Sequence, residues 1–324
     1  MSNSRRNLLA ALSLAFAAAL LVALFRFSGL AIADLVAALG ATPASVIAAV
    51  LALTLANQLV SVARWRVLDR FLGRSPTIVP WGVATRATLR GALAGQVLPL
   101  QFSMPLARWA SVRNGQAVNA TLYEQLLDLI LLACAGAAAI LLFAWGTGMA
   151  ASLALFCAAV LVSVATMPWL LHILGAVTRT LPRSVFMERA GQALARAASL
   201  PARTLFLLGW LSALRLTVLS LRTVLVVAAF AGGIDAALVA IGYPAVGLAM
   251  GLPFLPAGMG VADWSLAALV VFAGGTAAAA ATAALALRAL TFASLAVLVA
   301  LFELAALIES DRPAGSAAPQ FGRP

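Results

Sequence analysis

The chain has 324 residues, of which 64% are hydrophobic and 10% charged. Its mean hydropathy of +1.06 is too high for a soluble domain and describes a polytopic membrane protein. The formal charge of +11 comes from arginines set in short connections between apolar runs, without interleaved aromatic residues, which excludes a nucleic-acid-binding groove and fits a positive-inside bias.

Ser4, Arg5 and Arg6 precede an apolar run over 8–25, long enough at 1.5 Å per residue to cross a hydrocarbon core of about 30 Å. Ala31-Ile32-Ala33 has the form of a signal-peptidase site and Ser4-Arg5-Arg6 faintly that of a twin-arginine signal. The run is longer than most signal h-regions and more spans follow, so a retained first helix with a cytoplasmic amino terminus is expected. A second span over 44–63 delivers the chain to Arg64, Arg66, Arg70 and Arg74, read as a basic cytoplasmic loop in which Arg64 and Arg66 flank Trp65 as an interfacial headgroup anchor. Asn57 and Gln58 are polar inside that span, where they suit hydrogen bonds to another helix.

The segment 79–98 is apolar but carries Arg86 and Arg90 four residues apart, hence on one helical face, and ends at Leu98-Pro99. A central arginine costs about 2.5–3.5 kcal/mol on insertion scales. Two of them favour a helix that lines a cavity, so 79–98 and 100–112 are expected to form a re-entrant pair that enters and leaves on the cytoplasmic side near Arg113. Within it, GALAG at 91–95 is a small-xxx-small pattern suited to close helix packing. A full span over 118–145 follows, with Tyr123, Glu124 and Asp128 in its first turns and the two acids sharing a face at i and i+4. Gly146-Thr147-Gly148 reads as an external turn. The run 150–171, containing Cys157, returns to a cytoplasmic connection bearing Arg179, Arg183, Glu188, Arg189, Arg196 and Arg203, in which 187–199 has the form of an amphipathic surface helix. Cys134 and Cys157 read as buried small hydrophobes without metal spacing, and His172, the only histidine, as interfacial beside Trp169; no metal or other cofactor is expected.

The fifth span, 205–230, holds Arg215 and Arg222 seven residues apart and so near one face, each costly unless paired or wetted. After the turn Gly232-Gly233-Ile234-Asp235, 238–252 enters, the stretch GLPFLPAGMGVADW at 251–264 breaks the helix, and 264–272 leaves. Gly274 and Gly275 close this second re-entrant pair on the external side. A last span over 277–308 carries Arg288 and Glu303, and the tail 309–324, rich in Pro, Gly, Ser and Ala, is expected to be disordered and cytoplasmic.

The stretch 251–264 is echoed by GQVLPLQFSMPLARW at 95–109. Both contain Leu-Pro, a second proline and an ionisable residue directly before a tryptophan, with opposite signs at Arg108 and Asp263. Proline removes a backbone donor, and the freed groups need protein or water rather than lipid. Two such segments in corresponding positions of two halves point to a transporter-type site near the bilayer midplane. The fold expected is an all-α polytopic membrane protein with about six full spans plus two re-entrant broken-helix pairs, arranged as an inverted-topology repeat. Residues 1–308 would form one integral membrane domain with halves of about 8–145 and 150–308. The broken-helix motif comprises Pro99, Pro253, Pro256, Gly258 and Gly260.

Candidate substrate-binding residues are Arg86, Arg90, Arg108, Glu124, Asp128 and Asp263, the ionisable groups in or beside the broken segments. In a purely structural role, Arg108 pairs with Glu124 or Asp263. In the functional reading, Arg108 with Arg86 or Arg90 binds an anionic headgroup through bidentate contacts to phosphate, while Asp263 or Glu124 titrates or exchanges partners. Trp109 and Trp264, at matching positions, suggest interfacial belts or a repeated structural role.

Four motifs carry a resemblance: ARWRVL at 63–68, GQVLP at 95–99 with Arg108 downstream, YEQLLDL at 123–129 and LPFLPAGMGVAD at 252–263. In these the chain resembles the transmembrane region of lysylphosphatidylglycerol synthases and the stand-alone flippase-like integral membrane proteins built on it. The family usually has a glycine pair and an acid before the arginine of the first broken motif, where this chain has Ser103, Met104 and Pro105. It commonly has an acid followed by arginine where this chain has Glu124-Gln125, and a glutamate at the position of Asp263. The resemblance implies translocation of a phospholipid or polyprenyl-linked lipid between leaflets, with an anionic membrane lipid as partner, in the inner (cytoplasmic) membrane. A small-solute transporter, a channel or a non-catalytic accessory subunit of a cell-envelope assembly are the alternatives. No enzymatic activity is expected: Asp34 alone supplies an acid in the early external loop, and the lysyl transfer of the full synthases needs a soluble domain after the membrane region, whereas this chain stops at Pro324.

Overall fold

Long alanine- and leucine-rich runs satisfy every backbone donor and acceptor within a helix, the structure such sequences require in lipid. The computed structural model describes residues 3–72, 78–98, 100–113, 115–145, 149–180, 194–195, 197–250 and 258–310, and every regular element among them is an α-helix. In chain order these are α1 (Asn3–Ser28), α2 (Ile32–Gly40), α3 (Ala44–Leu72), α4 (Trp81–Ala94), α5 (Leu100–Val112), α6 (Gly115–Trp145), α7 (Met149–Ala165), α8 (Met167–Thr180), α9 (Ala202–Phe230), α10 (Ala236–Met250), α11 (Val261–Phe272) and α12 (Ala277–Ser310). Among the described residues α3, α6, α9 and α12 are long and apolar enough to cross a membrane; counting each of two bent pairs, α1–α2 and α7–α8, as one span gives up to 6. The protein is a multi-pass, all-helical membrane protein.

Three expectations need correction or fall outside the described residues. The run 150–171 is not one straight span: α7 and α8 meet at 68°, because Pro168 has no N–H to continue the ladder and the Thr166 hydroxyl bonds back to the Val162 carbonyl at 2.7 Å. The second span does not stop at residue 63. Helix α3 continues to Leu72, carrying Arg64, Arg66 and Arg70 on the helix itself. Of the surface helix at 187–199, only 194–195 and 197–199 are described, helical up to 198; most of it, like Pro99, Pro253, Pro256 and nearly all of the 309–324 tail, lies outside the described residues.

Helices α4 and α5, of 14 and 13 residues, are each about 20 Å long, short of a 30 Å core, and pack on one another as a hairpin. Gly91 permits this contact, since a Cβ there would sit 2.8 Å from Met104 Sδ and 3.1 Å from its Cα. Helices α10 and α11 form the second hairpin. Packing is reciprocal between the halves: α5 lies on α6 as α11 lies on α12, α4 lies on α12 as α10 lies on α6, and α3 and α9 pack centrally on each other. The central pair runs antiparallel, with Asn57 meeting Arg215 and Thr54 meeting Arg222. Reciprocal packing about an antiparallel central pair is the arrangement an inverted repeat requires.

The hairpins open at opposite ends of the bundle. The outer ends of α4 and α5 join Leu68 of α3, Ala117 of α6 and Leu205 of α9 in one apolar cluster. The outer ends of α10 and α11 meet where the Asp235 N–H donates to the Ala273 carbonyl at 3.0 Å, in a cluster with Ala231, Ala280 and Phe143.

At the turn before α11, Gly258 and Gly260 take φ of +65° and +83°. Gly260 is also pressed against α1: a Cβ would meet Leu20 Cβ at 2.5 Å and the Ala17 carbonyl at 3.3 Å. Gly260→Ala therefore combines backbone strain with a clash and is expected to cost about 2–4 kcal/mol. Gly29, with φ +67° and nothing within 4 Å of a built Cβ, is the control; Gly29→Ala carries only the conformational term, about 1–2 kcal/mol. Denaturant unfolding of both variants in micelles checks the difference.

Candidate functional site

Four helices bring complementary polar positions to one buried locus. Along α3 the face Thr54, Asn57, Ser61, Arg64 advances by three or four residues at each step, as does Thr121, Glu124, Asp128 on α6; α9 supplies Ser212, Arg215 and, two turns on, Arg222. From the hairpin, α5 contributes Arg108. A helix burying such a face in a membrane bundle needs partners for it on neighbouring helices, and here each neighbour is another such face.

Arg108 is 0% and Glu124 3% exposed. Arg108 Nη1 donates to Glu124 Oε2 in a buried ion pair and lies 3.2 Å from Thr121 Oγ1, while its Nη2 lies 3.1 Å from Ser61 Oγ. The Ser61 hydroxyl donates in turn to Glu124 Oε1 at 2.7 Å. One face of the guanidinium lies 4.7 Å from the Trp65 ring centroid, a cation–π contact that fixes its plane.

A second layer continues from this pair. Arg64 Nη2 donates to the Glu124 carbonyl at 2.7 Å, and Arg64 Nη1 lies 2.7 Å from Asp128 Oδ1. The other oxygen of Asp128 pairs with Arg215 Nη1, and Arg215 Nε donates to Asn57 Oδ1 at 3.1 Å. Asp128 thus bridges two guanidiniums from α3 and α9. In a low-dielectric interior each of these charges is tolerable only because its partners are fixed around it.

Of the sequence candidates, Arg108, Glu124 and Asp128 come together, and of the two partners considered for Arg108, Glu124 is the one it takes. Asp263 pairs instead with Arg288 of α12 in a bidentate contact at 3.0 and 2.9 Å, and its carboxylate also accepts the Gly260 N–H at 2.9 Å, capping α11. Arg90 is likewise engaged elsewhere, with Glu303 of α12 through two bonds of 2.6 Å at a site where Arg90 is half exposed. Arg86 lies one turn before Arg90 on α4, half-buried. Each hairpin is therefore tied to α12 by its own ion pair.

Arg64 and Trp65 do not form an interfacial anchor: both are 0% exposed, because α3 continues as helix and turns them onto α6 and α5. Arg66 lies 4.4 Å over the ring of Trp81. Trp109 and Trp264 differ as well. Trp109 faces outward, whereas Trp264 donates its Nε1 proton to the Leu20 carbonyl at 2.8 Å and ties α11 to α1. Cys134 is partly buried and Cys157 exposed, so the latter faces outward from the bundle rather than into it.

Sequence reasoning missed Arg64, Arg215 and Arg288 as partners in these networks. The available signal was the arginine pair inside 205–230, since a cation in a span demands a nearby acid.

The family model described as lysylphosphatidylglycerol synthase TM region matches residues 9–299, from the first turns of α1 into α12 and so across both hairpins. No curated protein matches the chain.

Proposed function

The chain belongs to the lysylphosphatidylglycerol synthase TM-region family, and we propose from that premise that it translocates a phospholipid or polyprenyl-linked lipid with an anionic headgroup between leaflets, without enzymatic activity of its own. The observation that carries this reading is the buried network Arg108–Glu124–Arg64–Asp128–Arg215. Ionisable groups inside membrane helices mark substrate paths by default, because lipid exposure makes them too costly to keep for packing alone. The network lies where hairpin α4–α5 meets the antiparallel α3–α9 pair. The opposite openings of the two hairpins supply the two-sided geometry that alternating access uses. The ion pairs to α12 assign Asp263 and Arg90 the task of positioning the hairpins.

The same reading places the protein in the inner membrane with its amino terminus in the cytoplasm. Supporting it, Arg66 and Arg70 at the end of α3, Arg113 after α5 and Arg203 at the start of α9 converge on the end of the bundle where the first hairpin opens, and a cluster of arginines at one membrane face is the positive-inside signature.

Leaflet exchange of fluorescent phospholipids in liposomes containing the purified protein tests the proposal. The native protein is expected to accelerate exchange, and Arg108→Gln, which leaves Glu124 its Arg64 contacts, to reduce the acceleration by tenfold or more, about the effect of losing one charge-assisted bond of 1.5–3 kcal/mol. Absence of acceleration from folded native protein for every headgroup tried, with uptake of a small solute instead, would turn the assignment to a solute transporter.

A further inference from the structure

Arg222 of α9 is 7% exposed, yet no carboxylate faces it among the described residues. Its closest polar contact is the Thr54 hydroxyl at 3.4 Å, and its Nε has no hydrogen-bond partner. The phenol of Tyr243 on α10 lies within electrostatic reach of both Arg222 and Arg215. The acids that surround the other arginines are committed elsewhere: Glu124 and Asp128 to Arg108, Arg64 and Arg215, Asp263 to Arg288, Glu303 to Arg90, and Asp235 to the first N–H groups of α10. Among the described residues Arg64, Arg108, Arg215 and Arg222 thus share only Glu124 and Asp128, which leaves two cations in excess along one polar seam.

A guanidinium does not lose its proton in a protein, so burial cannot neutralise Arg222 as it would a lysine. Seven residues separate Arg222 from Arg215, about 10 Å along the helix, too far for Asp128 to serve both. An uncompensated charge held in the interior calls for a counter-ion from outside the chain. Planar donors beside a threonine hydroxyl and a phenol match the oxygen array of a phosphate ester.

We propose that Arg222, with Thr54 and Tyr243, forms a phosphate-binding site between α3, α9 and α10, separate from the Arg108–Glu124 pair. Its ligand class is a phosphate anion, and the source is the phosphate ester of a lipid headgroup or free inorganic phosphate. Reading the anion as the headgroup in transit rests on the translocation proposal above; the site itself rests on the stranded charge.

Delipidated full-length protein in micelles provides the test, titrated separately with inorganic phosphate, dioctanoyl phosphatidylglycerol and dioctanoylglycerol, which lacks phosphate. The native protein is expected to bind a phosphate-bearing probe and not dioctanoylglycerol, with affinity at least tenfold weaker in Arg222→Gln and partly kept in Arg222→Lys. Binding of phosphatidylglycerol without inorganic phosphate identifies a lipid headgroup; binding of inorganic phosphate alone identifies a free anion and leaves the site standing. The proposal is overturned if native protein binds neither phosphate probe, or if Arg222→Gln and Arg222→Met bind like native. Ligand-free stability is an independent check. Removing a stranded charge is expected to leave Tm unchanged or higher, and a clear drop in both neutral variants would show that the charge is compensated within the chain, which also overturns the site. Leaflet exchange separates the two proposals, since Arg222-dependent binding without exchange keeps the site and removes translocation, and exchange insensitive to Arg222→Gln with unchanged phosphate affinity does the reverse.

Discussion

Glu124→Gln is expected to destabilise the folded protein by about 3–5 kcal/mol, the range for removing one partner of a buried ion pair. The substitution keeps the shape of the side chain, but its single amide oxygen replaces only one of the two carboxylate oxygens that accept from Ser61 and Arg108, so the loss combines the charge with one acceptor. Glu124 is the carboxylate on which Arg108 depends and a second counter-ion for Arg64. Without it the seam holds three cations in excess among its described residues instead of two. Adding Arg108→Gln removes the charge most exposed to that change, and the double variant is expected to recover at least 1 kcal/mol relative to Glu124→Gln alone, the signature of direct coupling in a double-mutant cycle. Unfolding free energies of the four proteins in micelles read both effects. A loss below about 1 kcal/mol for Glu124→Gln, the scale of an exposed pair, would mean that water reaches the network and that its charges are not held dry.

The sequence made the helices legible because membrane-spanning segments are defined by length and hydropathy alone, and the breaks legible because proline and glycine act locally. The two hairpins follow from those same residues: 79–112 and 238–272 are too interrupted for spans, and the structure gives α4–α5 and α10–α11. The pairing of charges was only partly legible. Arg108 with Glu124 was one of two readings, since both lie near the first broken segment. A basic residue at the end of an apolar run, followed by Arg66, Arg70 and Arg74, reads by default as a loop, and the acids Glu124 and Asp128 that Arg64 meets lie beyond the whole first hairpin. The arginines at 215 and 222 were flagged as costly, yet the sequence offers no way to see that Asp128, 87 residues earlier, meets the first and not the second. Asp263 and Arg288 are only 25 residues apart, but the turn between α11 and α12 sets their register, and helical periodicity does not carry through a turn.

Asp263→Ala is expected to cost about 3–4 kcal/mol, because one carboxylate does two jobs. It accepts the Gly260 N–H at the start of α11, a capping contact worth about 1 kcal/mol, and it pins Arg288 of α12 through two bonds, leaving a largely buried arginine stranded when it is removed. Asp263→Asn keeps much of the cap but loses the charge, so its cost is expected to fall between those of Ala and the native residue. Asp263→Glu retains the charge at a position from which a longer acid can also cap and is expected to lose less than 1.5 kcal/mol. Unfolding in micelles orders the three. The same variants distinguish a positioning role from headgroup binding. If Asp263 holds the second hairpin against α12, the exchange rate should fall in proportion to lost stability, and a compensating change at Arg288, such as Arg288→Gln in the Asp263→Asn background, should restore both together. If Asp263 bound the headgroup itself, restoring stability through Arg288→Gln would leave exchange abolished, because the ligand contact would still be missing.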